Sequence, residues 1–180
     1  MKIWQWHYDG DEFDSLTPVE WPSVTEIQTF DGRNKKDTWT PLRVRRMHPE
    51  KDLKLSDSPG LFLPVLSEKA VEILSPLIHN DVELLDLDFS ERRYWGIHVT
   101  NVLNVIDYTN SKYIMFSDNK RIMCFEKYAF RICEELTRSN IFKIVDEPLR
   151  WAFVSDQFKR TVEEHNLTGF VFKLVWDSES

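Results

Sequence analysis

Glycine is scarce in this sequence: only five glycines occur in 180 residues, and none forms a glycine-rich cluster ahead of a predicted helix. Loops that cradle nucleotide phosphates need such clusters, because the backbone must approach the phosphate closely. The scarcity therefore argues against P-loop and dinucleotide-binding sites, and we expect no cofactor.

Cysteine and metal-ligand patterns are lacking as well. The two cysteines, Cys124 and Cys133, have neither zinc-site nor redox-motif spacing, and no disulfide framework is needed at this length. The five histidines are scattered, with no pair at the short spacing of metal ligands. We therefore expect no metal site and no catalytic residues. We also expect the protein to reside in a reducing compartment.

Long apolar runs are missing too. No run approaches the ~20 residues that a membrane-spanning helix requires. The first residues, MKIWQWHYDGDEF, contain no apolar segment of secretory length and soon turn acidic. The sequence therefore predicts a cytoplasmic protein that does not enter a membrane.

Basic residues are outnumbered, with 23 Lys and Arg against 30 Asp and Glu, for a net charge of −7. Nucleic-acid binding needs clustered basic residues, so we expect no nucleic-acid partner. An acidic balance suits a basic protein partner, although solubility alone also explains it.

The strongest positive pattern is a segment that occurs twice. Residues 65–86 read VLSEKAVEILSPLIHNDVELLD, and residues 153–174 read FVSDQFKRTVEEHNLTGFVFKL. Aligned on Ser67 and Ser155, each has an apolar run, a helix-capping Ser followed by an acid, a helical stretch, a turn and an alternating strand. The pattern predicts a repeated helix–strand unit, with both strands in one sheet. We therefore expect the chain to serve as a scaffold whose function depends on its surface and not on a set of reacting side chains.

The other elements predict an α+β fold: a mixed, mainly antiparallel sheet with a few packed helices. We expect a looser N-terminal lobe over residues 1–58 and a main α+β domain over 59–180, possibly forming one continuous domain. Strands are predicted near 24–30 and 40–46, a hairpin around 117–120, and a helix over 129–136. The closing strand, 170–176, is apolar on both faces, which predicts a central strand with Phe172 in the core.

The candidate contact residues lie in and after the first strand. Trp4 and Trp6 share one strand face, and Asp9, Asp11 and Glu12 follow at once. Together they form a candidate partner-binding patch for a basic protein. The alternative is a solvated turn after a core strand. Similarly, His98 and Cys124 are expected to be buried structural residues, with a role in catalysis as the alternative.

Several stretches resemble a known family. They are residues 59–70 (PGLFLPVLSEKA), 99–102, 107–108, 153–159 (FVSDQFK) and 167–177 (LTGFVFKLVWD). Over residues 59–178 the chain resembles bacterial immunity proteins of polymorphic toxin systems, the myxobacterial-type immunity domain. The resemblance implies an antidote that binds and neutralises a cognate toxin, and it carries over no catalytic residue.

Three functions follow as hypotheses. The first is a cytoplasmic immunity protein acting by stoichiometric protein–protein interaction. The second is an enzyme of unrecognised type, which would gather His98, Cys124 or acids in a cleft. The third is a small-molecule or regulatory binding module, which would need a large apolar pocket. The sequence indicates neither the toxin nor the oligomeric state.

Overall fold

A computed structural model of the chain describes residues 1–118 and 120–179. The strands, in chain order, are β1 Lys2–Tyr8, β2 Phe13–Asp14, β3 Leu16–Pro18, β4 Leu42–Arg46, β5 Lys54–Leu55, β6 Val65–Ser67, β7 Val82–Asp88, β8 Tyr94–Val99, β9 Val102–Leu103, β10 Lys112–Met115, β11 Ile122–Lys127, β12 Ile141–Ile144, β13 Phe153–Ser155 and β14 Phe170–Asp177. The helices are α1 Val24–Ile27, α2 Glu68–Ile78, α3 Glu134–Arg138 and α4 Asp156–Glu164, and a short 3-10 helix lies at Lys36–Thr38.

Two five-stranded sheets form the body of the protein. The first has the order β14-β1-β13-β12-β9 and the second the order β3-β4-β7-β8-β6; β10–β11 and β2–β5 form small two-stranded sheets. Most neighbours run antiparallel, while β9–β12, β2–β5 and β4–β7 are parallel. One buried cluster joins α2 and α4 to strands of both sheets. The expected α+β class with a mainly antiparallel arrangement is confirmed.

The two similar segments have the same local topology. β6 and β7 both pair antiparallel with β8, which lies between them, and β13 and β14 both pair antiparallel with β1. Each segment therefore consists of a strand, a helix and a second strand that runs parallel to the first. A third strand, from another part of the chain, lies between these two strands and pairs with both. The segments lie in different sheets, so the prediction of one shared sheet is wrong. Their relation as two copies of one unit stays a prediction.

Both predicted helix caps are confirmed. Ser67 Oγ accepts the Ala70 N–H at 3.2 Å, and Ser155 Oγ accepts the Phe158 N–H at 3.1 Å. Each hydroxyl also donates a hydrogen bond of 2.7 Å, Ser67 to Asp57 Oδ1 and Ser155 to Asn140 Oδ1. The two serines therefore fix the helix starts to neighbouring segments.

Replacing Ser155 with Ala is expected to lower the free energy of unfolding by about 1 kcal/mol, because the first turn of α4 loses its cap. Urea denaturation measures the change. Ser67→Ala should cost more, because Ser67 is fully buried and its loss also removes a hydrogen bond to the buried Asp57. An unchanged urea midpoint for Ser155→Ala would contradict the capping role.

The closing strand differs from its prediction. β14 is the outermost strand of the first sheet, and β1 is its neighbour among the described strands. Val171 and Leu174 are exposed and Phe172 is only half-buried. The expected central position is therefore wrong, because the sheet ends at β14. Phe172 is not a fully buried core residue, although it packs against one buried cluster while Trp176 packs against another.

Two other elements also differ. The predicted strand at 24–30 contains helix α1, because Ser23 and Glu26 form a reciprocal capping box. The predicted helix at 129–136 shortens to α3, with Cys133 at its N-cap and Phe130 bridged to Ile106 in extended conformation. The predicted hairpin is present as β10–β11, and Asn119 of its turn lies outside the described residues.

Residues 1–58 contribute to both sheets. β1 lies inside the first sheet, whereas β3 and β4 belong to the second. The division of the chain at residue 58 stays a prediction. This arrangement places three segments side by side: the end of β1, the segment that precedes β6 and the segment that precedes β13.

Candidate partner-binding surface

The two tryptophans proposed from the sequence support the sheet from one side. Trp6 is 3% exposed; its indole N–H donates to Ser58 Oγ at 3.2 Å, and its ring stacks on Phe170 at a centroid distance of 5.3 Å. Trp4 is half-buried and donates to Asp156 Oδ1 at 3.2 Å, the first residue of α4. Trp6 is thus enclosed in the core, and its side chain offers almost no surface to a partner.

The acidic residues after β1 form an ordered turn. Asp9 Oδ1 accepts the backbone N–H groups of Asp11 and Glu12, both at 3.1 Å. The side chains of Asp11 and Glu12 are exposed. We call Asp9, Asp11 and Glu12 the acidic turn; it presents negative charge at the surface beside Tyr8.

A cleft of about 330 Å³ opens next to the acidic turn. Three segments converge there: the end of β1, the segment 58–65 and the segment 149–152. The lining residues are Trp6, His7, Tyr8, Ser58, Pro59, Leu61, Phe62, Leu63, Pro64, Val65, Leu149, Arg150, Trp151 and Ala152. Most of these side chains are apolar, so the cleft suits an apolar group with few polar atoms.

The cleft has an exposed aromatic edge. Trp151 is 43% exposed, and Tyr8 and Leu149 are similarly exposed. We call Tyr8, Leu149, Arg150 and Trp151 the Trp151 surface. Trp, Tyr and Arg are the residues most enriched among those that dominate protein–protein binding energy.

His7 gives this surface its one unusual polar group. Its ring lies against Trp151 at a centroid distance of 4.1 Å. Burial, followed by the positive charge of Lys173, lowers the pKa of His7, so the imidazole is neutral near pH 7. Its Nε2 atom is buried without a hydrogen-bond partner among the described residues. A partner that reaches the cleft could therefore supply the missing hydrogen bond.

The side chains around the cleft are held in place by their neighbours. Gly60 lies under Tyr8: a Cβ there would be 2.5 Å from the Tyr8 ring and 2.6 Å from Ser15 Oγ. Arg150 donates to the Met123 carbonyl of β11 at 3.0 Å, and its Nε is 3.4 Å from the buried Glu147. Glu147 in turn accepts the Tyr128 hydroxyl at 2.8 Å. Arg150 thus ties the Trp151 surface to the β10–β11 hairpin.

The hairpin is itself rich in exposed apolar side chains. Those on it are Tyr113, Ile114, Phe116 and Met123. A chain of ring contacts joins it to the core, passing from Tyr113 through Phe125, Tyr128 and Phe153. Two-stranded ribbons are marginal on their own, and contiguous exposed apolar patches mark interaction sites. The hairpin therefore extends the Trp151 surface.

The model of the immunity protein family Imm11 matches residues 79–177. The chain belongs to the Imm11 immunity protein family. Membership indicates an immunity function, with a toxin as the partner in general terms. No curated protein matches the chain.

The Imm11 match covers part of the surface described above. Residues 149–151, the hairpin and β14 lie within the matched range, whereas Tyr8 and the acidic turn precede it. The Trp151 surface is not among the sites predicted from the sequence. The sequence does contain a signal for it, a Trp beside an Arg in the segment Pro148-Leu149-Arg150-Trp151. The same segment also has the pattern that begins a strand.

The residues of the enzyme hypothesis are not brought together by any hydrogen bond in the described part of the chain. His98 is enclosed in β8, with Nε2 2.8 Å from the Arg33 carbonyl oxygen and its ring edge-on to Phe30. Cys124 is half-buried in the hairpin. Within residues 1–118 and 120–179, no group of three or more His, Cys, Asp or Glu is placed to hold a metal ion. None of the helices described there is long and apolar enough to span a membrane.

Proposed function

We propose that this Imm11 protein is a cytoplasmic antidote that neutralises a cognate bacterial toxin by stoichiometric binding, without catalysis. The observation that supports this most is the Trp151 surface, an exposed Trp–Arg–Tyr cluster around an apolar cleft on a chain of an immunity family. Residues of these types contribute most of the energy of protein association when they enter a pocket of the partner or line a pocket that the partner enters.

The rigidity of the surface favours tight binding. His7 fixes the Trp151 ring, Gly60 allows Tyr8 to lie flat, and Arg150 is held by Met123 and Glu147. Side chains that are ordered before association lose less conformational entropy on binding. The toxin therefore meets a surface that already has its bound shape.

The cleft alone is too small for a full interface. A stable protein complex buries about 800 Å² on each partner. The exposed hairpin lies beside the cleft through Arg150, and the acidic turn lies beside it through Tyr8. We propose that the toxin contacts all three, with the cleft at the centre and charged residues at the periphery.

Replacing Trp151 with Ala should weaken toxin binding by roughly 30-fold or more, since a dominant interface residue contributes at least about 2 kcal/mol. Cells expressing the toxin encoded by the adjacent gene should lose protection, and the two proteins should no longer co-purify. Ile132→Ala is the matched control: Ile132 is exposed, lies away from the cleft lining and should leave protection intact.

Thermal melting of both variants separates binding from folding, because Trp151 also contacts His7. A Trp151→Ala chain that melts like the unsubstituted protein and still protects cells fully would contradict the proposed surface. A chain that fails to protect in any form, and never co-purifies with the toxin, would remove the immunity proposal itself.

A further inference from the structure

β14 is an unusually open strand edge. Seven of its eight residues pair with β1, Val175 being skipped at a register shift, and residues 170–176 make no other backbone hydrogen bond within the described residues. The other edges of the two main sheets are short: β9 has two residues, while β3 and β6 have three each. β3 also ends at Pro18, which cannot donate a backbone hydrogen bond. β14 is thus the one long, open edge among these four.

The side chains of β14 protect this edge poorly. Val171 and Leu174 are 42% and 44% exposed, and Lys173 is the only charged residue from 170 to 176. Proteins usually shield an exposed edge with several charges, a proline or a covering loop, because its free N–H and C=O groups can pair with another strand. An edge left apolar over this length is suited to receiving a partner strand.

Acidic residues lie at both ends of the strand. At its start, the backbone N–H of Asp9 donates to the Gly169 carbonyl at 3.0 Å, which places the acidic turn beside Phe170. At its end come the exposed Glu179 and Asp177, whose Oδ2 is 4.0 Å from Lys2 Nζ, so the summed charge of this end is still negative. An incoming strand therefore passes from negative charge, over an apolar centre, to negative charge again.

This charge pattern selects the occupant. Two copies paired antiparallel about a twofold axis would bring the Glu179 end of each strand towards the acidic turn of the other. Like charges opposed in this way repel, which disfavours a second copy. A strand with Lys or Arg at its ends and apolar residues between them meets complementary charge throughout.

We infer that β14 receives a β-strand of the toxin, which extends the first sheet by one strand and carries basic residues on either side of an apolar centre. This inference rests on the proposed function. It is also compatible with the Trp151 surface: Tyr8 pairs with Phe170 across β1 and β14, so the strand begins close to the cleft.

Hydrogen exchange measured by mass spectrometry tests the inference directly. The chain is compared alone and with the inactivated toxin encoded by the adjacent gene, at low salt. We expect the outward-pointing amides among residues 170–176 to exchange at least about tenfold more slowly in the complex, because they become hydrogen-bonded to the added strand. The short edge β3 in the second sheet provides an internal control and should not change.

Charge reversal supplies a second measurement. The double substitution Asp11→Lys and Glu12→Lys should slow association by about tenfold or more at low salt, and the difference should shrink as salt is added. Asp88→Lys, at an exposed position of the second sheet, is the matched control and should bind like the unsubstituted chain.

The outcomes separate the two proposals. A complex that forms without added protection at residues 170–176 overturns the strand addition and leaves the immunity proposal standing. Failure to form any complex removes both. Analytical ultracentrifugation covers the remaining case: a dimer of the chain alone, with these amides already protected, would show that the occupant is a second copy.

Discussion

Replacing Asp57 with Ala should lower the free energy of unfolding by about 3–5 kcal/mol, because it removes the buried partner of an ion pair and leaves the hydrogen-bond donors around it unsatisfied. Asp57 is 4% exposed and its carboxylate receives four hydrogen bonds. Ser67 donates at 2.7 Å, Arg92 at 2.6 Å, and the N–H and hydroxyl of Thr168 each at 3.1 Å. One side chain therefore links the start of α2, the turn before β14 and the segment before β6.

Urea denaturation of Asp57→Ala beside Asp88→Ala isolates the effect of burial. Asp88 also pairs with an arginine, Arg43 at 4.0 Å, but both side chains are largely exposed. Such surface pairs contribute about 0–1 kcal/mol, so this control should unfold almost like the unsubstituted chain. Equal midpoints for the two variants would show that Asp57 is not the linking residue described here.

The stability of the unsubstituted chain should depend on pH through the same carboxylate. Burial opposes ionisation of Asp57, but the hydrogen bonds from Ser67 and Thr168 and the charge of Arg92 outweigh it, so its pKa lies below the ordinary value. A depressed pKa means that the stabilisation is present in full above the unfolded-state pKa of about 3.9. It is lost as the pH falls through the lower, folded-state pKa, and Asp57→Ala should lack this part of the acid sensitivity.

Phe158→Ala is the second substitution with a large expected effect, a loss of about 3–5 kcal/mol in the free energy of unfolding. Phe158 lies in α4, is fully buried and contacts the rings of Trp6, Phe170 and Phe172. Its removal leaves a cavity between α4 and the first sheet, which the surrounding rings can fill only partly.

The matched control is Phe172→Ala on the facing strand. Phe172 is half-buried and lies on the edge strand β14, so truncation removes less apolar contact and leaves a site that water can reach. We expect a clearly smaller loss, measured by calorimetry on both variants. A larger loss for Phe172 than for Phe158 would contradict the edge position of β14.

Local signals in the sequence predicted local structure well. Ser67 and Ser155 were identified as caps because a side-chain oxygen near the first turn satisfies a free N–H regardless of the tertiary fold. The same rule applies at residues 24–30, where Ser23 and Glu26 also form a capping box that the predicted strand left out of account. The broad α+β class followed from the mixture of these patterns.

Tertiary position was harder to predict. The apolar faces of β14 predicted a central strand, yet the strand ends the sheet, because neighbour order depends on long-range pairing that no local pattern encodes. The Trp151 surface escaped detection for the same reason. Its residues come from positions 8 and 149–151, and only the fold places them around one cleft.

Mass spectrometry of the inactivated toxin, titrated with this protein, tests the central claim most directly. Native spectra should show a one-to-one complex that is complete at one equivalent, and denaturing spectra should show a toxin of unchanged mass. A toxin whose covalent mass changes with substoichiometric amounts of the protein, without a stable complex, would contradict stoichiometric neutralisation and indicate an enzyme.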